Sequence, residues 1–185
     1  MLAWIGRLYA LAGKTEDARR ALQTSLKMMQ TTDEPETYVD PPFNFAYIAW
    51  LGEDAAEWQR GVEYSRQVSQ YWQKSGVEEA LMFSLDMEAR LLLALGQIDE
   101  ALSCSTEAVK IAENLGSGGG KEQIYYTYAR VLSAADREVE SKEYIRRAYD
   151  IVMQTASKLT DEELRRSFLE NIRYNREIVQ AWGGA

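Results

Sequence analysis

Small and apolar residues recur along this chain at the spacing of an α-helix. The clearest stripe is Ala18, Ala21, Leu22, Ser25, Leu26 and Met29, which follows i, i+3, i+4, i+7, i+8 and i+11. Thr15, Glu16 and Asp17 stand ahead of it as an N-cap and an acidic first turn. Helix breakers cut the chain into segments of this kind. Helices are expected over 2–12 (ended by Gly13), Thr15 to near Gln30, 43–52, 54–74, 77–95, 98–115, 121–135, 138–158 and 161–182. Ser75-Gly76 and Gly96 are breaks, and Gly116-Ser117-Gly118-Gly119-Gly120 reads as a flexible hinge. Residues 31–42 (TTDEPETYVDPP) hold all three prolines and read as a loop. Thr160-Asp161-Glu162-Glu163 reads as a capping box that starts the last helix.

A slower repeat runs over the helical one. A small residue is followed seven positions later by Gly or a substitute, and five positions after that by another small residue. The copies are Gly6, Gly13, Ala18; Ala49, Ala56, Gly61; Ala89, Gly96, Ala101; and Ala129, Asp136, Ser141. Their first members stand at 6, 49, 89 and 129, so the intervals are 43, 40 and 40 residues. A fixed period in this range marks a solenoid of helix pairs. The small residues have a physical task. Two antiparallel helices joined by a short turn can approach closely only where both side chains are small, and larger residues such as Tyr9, Leu22, Leu92 and Tyr128 fill the grooves around the crossing. Ser25, Val68, Ala108 and Ala148 offer a third position, where the next pair packs. The expected units are about 1–31, 41–75, 77–116 and 120–158 within a single domain over 1–185, closed by a capping helix at about 160–182. At the start, Leu2 begins with repeat-type core residues and nothing that caps them. The chain is therefore expected to be a piece of a larger protein, with self-association through the uncapped N-terminal end as the other outcome.

This pattern resembles the tetratricopeptide repeat, best in IGRLYALAGKTEDARRAL and EARLLLALGQIDEALSCSTEAV. The second copy departs from it, with Gly52 where a large residue is expected, Ala56 for the turn Gly and Gly61 for Ala. The fourth has Asp136 for the turn Gly. The resemblance covers about residues 2–157. It implies an all-α, right-handed α-α superhelix and a non-catalytic scaffold that binds a protein or peptide partner in its concave groove. The usual period is about 34 residues, so these pairs are longer than standard. The tail LTDEELRRSFLENIRYNREIVQAW is similar to the ends of repeat arrays in large bacterial signalling proteins, among them regulatory P-loop ATPases, nucleotide cyclases and ATP-dependent transcription activators. That second resemblance implies a C-terminal sensing region whose partner can be another domain of the same parent protein.

Composition narrows the chemistry. The net charge of −8 and pI near 4.8 disfavour nucleic-acid binding. No apolar run approaches the ~18 residues a bilayer span needs, and no membrane partner is expected. The single cysteine, Cys104, cannot form an internal disulfide, and a reducing, cytoplasmic location is the expectation. The chain has no His, so no Ser-His-Asp triad, Cys-His dyad or His-ligated metal site can be built. Carboxylates such as Asp33-Glu34-Glu36 lie on polar faces and loops, where no pKa is raised for acid–base work. Gly116 to Lys121 lacks the spacing of a phosphate loop. No catalytic residue, metal or cofactor is expected.

One set of positions stands out. The residue after each first small residue is Arg7, Trp50, Arg90 or Arg130. Each lies about 100° around its helix from the packing residue, which in the resembled family faces the concave groove. Phe43, Phe83 and Gln123 lie seven residues earlier on their helices, and Tyr126 four residues before Arg130. Arginine with aromatics is the composition of binding hot spots, and its fork suits carboxylates. The partner-binding set is therefore Arg7, Trp50, Arg90, Arg130, Phe43, Phe83 and Tyr126, with an acidic or C-terminal peptide segment as ligand. Two alternatives stay open: the arginines pair with Glu88, Glu53 or Asp86, or the array is a structural spacer or self-association module. The Lys/Asn/Arg clamp that some members of the resembled family use for a C-terminal carboxylate is not reproduced, since only Arg90 matches it.

Overall fold

A computed structural model describes residues 2–12, 14–29, 31, 39–116 and 119–183. The turn residue Gly13, most of the 31–42 loop and Ser117-Gly118 of the hinge lie outside the described residues. Among those described there are ten helices and no strand. They are α1 (Leu2–Leu11), α2 (Thr15–Met29), α3 (Asp40–Leu51), α4 (Ala55–Ser75), α5 (Glu78–Ala94), α6 (Ile98–Asn114), α7 (Lys121–Ala134), α8 (Glu138–Ser157), α9 (Glu162–Glu170) and α10 (Arg173–Gly183). The first eight pack as successive pairs. The leading helices of neighbouring pairs also touch, α1 on α3, α3 on α5 and α5 on α7. That second set of contacts turns a string of hairpins into a solenoid.

The small-residue repeat marks the helix crossings. A Cβ on Gly6 would lie 3.2 Å from the Ala18 carbonyl oxygen. A Cβ on Gly61 would lie 3.3 Å from Ala49 Cβ and 2.9 Å from Leu91 Cδ1. Ala89 and Ala101 are both fully buried. In the fourth pair Ser141 Oγ donates to the Ala129 carbonyl at 2.9 Å, so a hydroxyl takes the place of a methyl and satisfies itself on the facing helix. Around these crossings the core divides into two adjoining clusters. One is built on Phe45, Val62, Leu91 and Leu92, the other on Met82, Tyr125, Leu132 and Ile178.

Three expectations about local structure are corrected. The pair Pro41-Pro42 is not loop but lies in the first turn of α3, which starts at Asp40. Proline lacks an N–H that the first turn would leave unbonded anyway, and its fixed φ suits a helix start. The second turn is not at Ala56, which lies inside α4. Gly52 to Asp54 make the turn, and the Asp54 carboxylate caps α4 by accepting from Ala56 N at 2.8 Å and Glu57 N at 3.3 Å. The C-terminal segment is two helices rather than one. Asp161 caps α9 through Glu163 N and Leu164 N. The break at Asn171–Ile172 is sealed by side chains, with Asn175 Nδ2 donating to the Phe168 carbonyl and Arg176 to that of Glu170.

Where the third pair turns on Gly96 at φ 72°, the fourth turns on Asp136 at φ 58°. This left-handed region is costly for a residue with a Cβ, and Asp tolerates it better than most. Asp136→Gly should therefore stabilise the fold by about 0.5–1 kcal/mol. Thermal unfolding should register this as a rise of roughly 1–4 °C. A lower Tm would show that the Asp136 side chain contributes more to the turn than its backbone strain costs.

Candidate functional site

The leading helices α1, α3, α5 and α7 each place one of the four sequence-predicted positions directly after its crossing residue, and the structure divides them into an open half and a filled half. In the open half, Arg7, Phe43 and Phe83 line one cavity of about 340 Å³ together with Gln123. Trp4, Tyr47 and Trp72 complete most of its wall. The Arg7 guanidinium lies 3.8 Å over the Tyr47 ring and 5.4 Å over that of Trp4. Such cation–π contacts hold the head group by its face and leave its N–H edge available.

In the filled half, the C-terminal segment reaches into the groove. Tyr174 of α10 stacks on Trp50 at 5.9 Å with 12° between the rings. The Arg173 guanidinium lies 4.4 Å over Trp50. Arg90 sits 4.4 Å over the Tyr174 ring and donates to the Tyr174 hydroxyl. This departs from the expected ladder of four exposed groups. Arg90 is 3% exposed, its Nε donates to Thr127 Oγ1 at 3.0 Å, and its Nη2 lies 2.6 Å from Asp86 Oδ2. The last approach is an ion pair rather than an aligned hydrogen bond, since Nη2 has no hydrogen-bond partner of suitable geometry. Gln123 Nε2 donates to the same carboxylate oxygen at 2.9 Å. Burial pushes the Asp86 carboxyl up, with the Arg90 charge pulling against it. Burial also pushes the Tyr174 phenol up to about 12, so it stays a neutral donor and acceptor.

Arg130 remains exposed, and no ion pair holds it among the described residues. Tyr126 beside it is half-buried. Burial raises its phenol, Glu177 adds to the rise, and Arg130, Arg173 and Arg90 oppose it. Of the alternatives left open by the sequence, Asp86 is thus the partner of Arg90, while Glu88 pairs with Arg66 at 2.8 Å. Tyr47 and Tyr174, which organise both halves of the face, were not singled out in the sequence. Tyr47 lies one turn after Phe43, a spacing that could have shown it. Tyr174 lies in the tail, and no periodicity links it to the repeats.

The Cys104 thiol is pushed up to about 12, by burial and by the neighbouring Glu88 carboxylate, and is therefore a thiol rather than a thiolate at neutral pH. Among the described residues no group of three or more Cys, Asp and Glu is placed to hold a metal ion, and no helix is long and apolar enough to cross a membrane.

Removing Arg90 should be structural in effect. Arg90→Ala leaves the Asp86 carboxylate buried without its counter-charge and should destabilise the fold by about 3–5 kcal/mol. Arg130→Ala, on an exposed side chain, should fall within about 0.5 kcal/mol of the parent. Urea unfolding of the two variants checks both. Equal, small effects would mean that the Arg90 network does not hold the groove together.

No protein-family model matches the chain, and no curated protein matches it by sequence. Among solved structures it is similar to the nearly identical TPR-like repeats of a kinesin-light-chain-type protein from Podosopora anserina, with a TM-score of 0.67 at 21% identity over 99% of this chain and 86% of that one. A variant form of the same repeats gives a TM-score of 0.68 at 19% identity over 99% of this chain and 85% of the other. The fold is accordingly that of a TPR-like, all-α solenoid.

Proposed function

We propose that this chain is a non-catalytic protein-interaction scaffold that binds an acidic or C-terminal peptide segment along its concave face. The observation that carries the reading is the division of that face. Arg90 is committed to Asp86, whereas Arg7 stands beside an open aromatic-walled cavity and Arg130 is exposed further along. Arg7, Phe43 and Phe83 then form the anchoring part of the contact, and Arg130 with Tyr126 a second part. Trp50 and Arg90 act from behind by fixing α10 in the groove. The tail resemblance supports a place in a cytoplasmic bacterial regulatory protein, as its C-terminal ligand- or partner-sensing region.

A second reading has an observation of its own. On α1, Leu8 is 64% and Trp4 49% exposed, an apolar surface that a second copy of the chain could cover. This is the spacer or self-association alternative.

Selection from a random peptide library with free C-termini separates the two. The groove reading expects enrichment of Asp and Glu, binding that weakens with salt, and a loss of roughly 10–100-fold when Arg7 and Arg130 are both replaced by Ala. Circular dichroism of the double variant should be unchanged. Absence of any selected peptide, combined with dimers by sedimentation that Leu8→Glu dissolves, would favour self-association.

A further inference from the structure

We propose that the open cavity between α1, α3, α4, α5 and α7 is a binding site for a free aromatic α-amino acid, a flat apolar body carrying one carboxylate and one ammonium group. The size is suitable. At about 340 Å³ the cavity falls at the small end of the range for small-molecule sites. Its walls are suited to a flat ring. Phe43, Tyr47, Trp72 and Phe83 present aromatic surface from three helices, with the buried Met87 among them. Rings pack on rings in offset or edge-on arrangements, and a thioether adapts to either.

The charges decide the ligand class. Arg7 and Asp40 both line this cavity, yet they do not pair with each other. Neither has an ion-pair partner among the described residues. Each is held in place by something else. Arg7 is stacked on Tyr47 at 3.8 Å. Asp40 belongs to the first turn of α3, where the helix dipole favours a carboxylate. A hydrocarbon ligand would desolvate both charges and satisfy neither. A ligand bearing only a carboxylate would be opposed by Asp40, and one bearing only an amine by Arg7. A zwitterion with an apolar body answers both, its carboxylate toward the free edge of the Arg7 fork and its ammonium toward Asp40. Gln123, whose amide nitrogen donates to Asp86, adds a polar side chain to the wall. The site shares Arg7, Phe43 and Phe83 with the peptide reading but does not rest on it, because a small ligand here needs neither Arg130 nor Tyr126.

Calorimetric titration of the whole chain with L-tryptophan, tryptamine and indole-3-propionate is the test. L-tryptophan should bind with a sub-millimolar Kd, and loss of either charged group should weaken binding by about 10-fold or more. Arg7→Gln should abolish the preference for the carboxylate, so that tryptamine matches L-tryptophan. Asp40→Asn should do the same for the ammonium. Ala80→Phe, which fills the cavity from its α5 wall, should abolish binding of all three while circular dichroism stays unchanged. The proposal is overturned if L-tryptophan fails to bind at millimolar concentration, if the two single-charge analogues bind as tightly as it does, or if Ala80→Phe leaves binding intact. Peptide selection is read separately, so failure of this site leaves the groove reading standing, and the reverse.

Discussion

The close approach of two helix backbones at a pair of small residues twelve positions apart is the constraint on which this molecule depends. It occurs at Gly6 and Ala18, Ala49 and Gly61, Ala89 and Ala101, and Ala129 and Ser141. A dispersion contact is weak individually and falls off steeply with separation, so a gap of even an ångström at the crossing would forfeit much of the attraction along both helices. With the crossing fixed, the larger side chains on either side meet their partners in the neighbouring pair, and the leading helices line up along one face. The positions right after the crossing residues then share that face because of helix geometry alone. The groove is a by-product of the packing rule.

That face is partly occupied by the chain itself. Tyr174, stacked on Trp50 and bonded to Arg90, closes an aromatic and cationic network that joins α3, α5, α7 and α10. Burying Arg90 and Asp86 together removes two charges from water, a cost that their attraction, the bond Arg90 donates to Thr127 and the bond Asp86 accepts from Gln123 must offset. An apolar pair of similar shape would be no less stable by this reasoning. The network therefore reads better as a device that fixes where α10 lies across the groove than as a source of stability. It leaves the Arg7 end open and makes the two ends of one face chemically unlike.

The repeat and the helical class were legible in the sequence because both follow from local periodicity. Even the departures at Gly61, Asp136 and Ser141 fell at the right structural positions, with a change of chemistry rather than of place. Three things were less legible, for separate reasons. Pro41-Pro42 reads equally as a loop or as a first helical turn, since the missing N–H is harmless in both. Ala56 was assigned to a turn by counting alone, whereas Asp54, two residues earlier, carries the capping carboxylate. Arg90 reads on a helical wheel as a groove residue, and it does face the groove. Its burial is a long-range effect of Tyr174, 84 residues away, which α10 carries into the groove. Asp86, one turn before Arg90, was visible as a candidate partner, but its choice over Glu88 depended on which face the fold covers.

The small-residue crossing can be tested directly at the third pair, where both members are fully buried. Urea unfolding of Ala101→Leu, compared with Ser103→Leu on the exposed face of the same helix, isolates crowding at the crossing from any change in helix propensity. Close approach predicts a loss of about 3 kcal/mol for Ala101→Leu, and a change within about 0.5 kcal/mol for Ser103→Leu. Equal stability of the two variants would contradict it, because helices that accept a leucine at Ala101 without cost are not held together by close approach there.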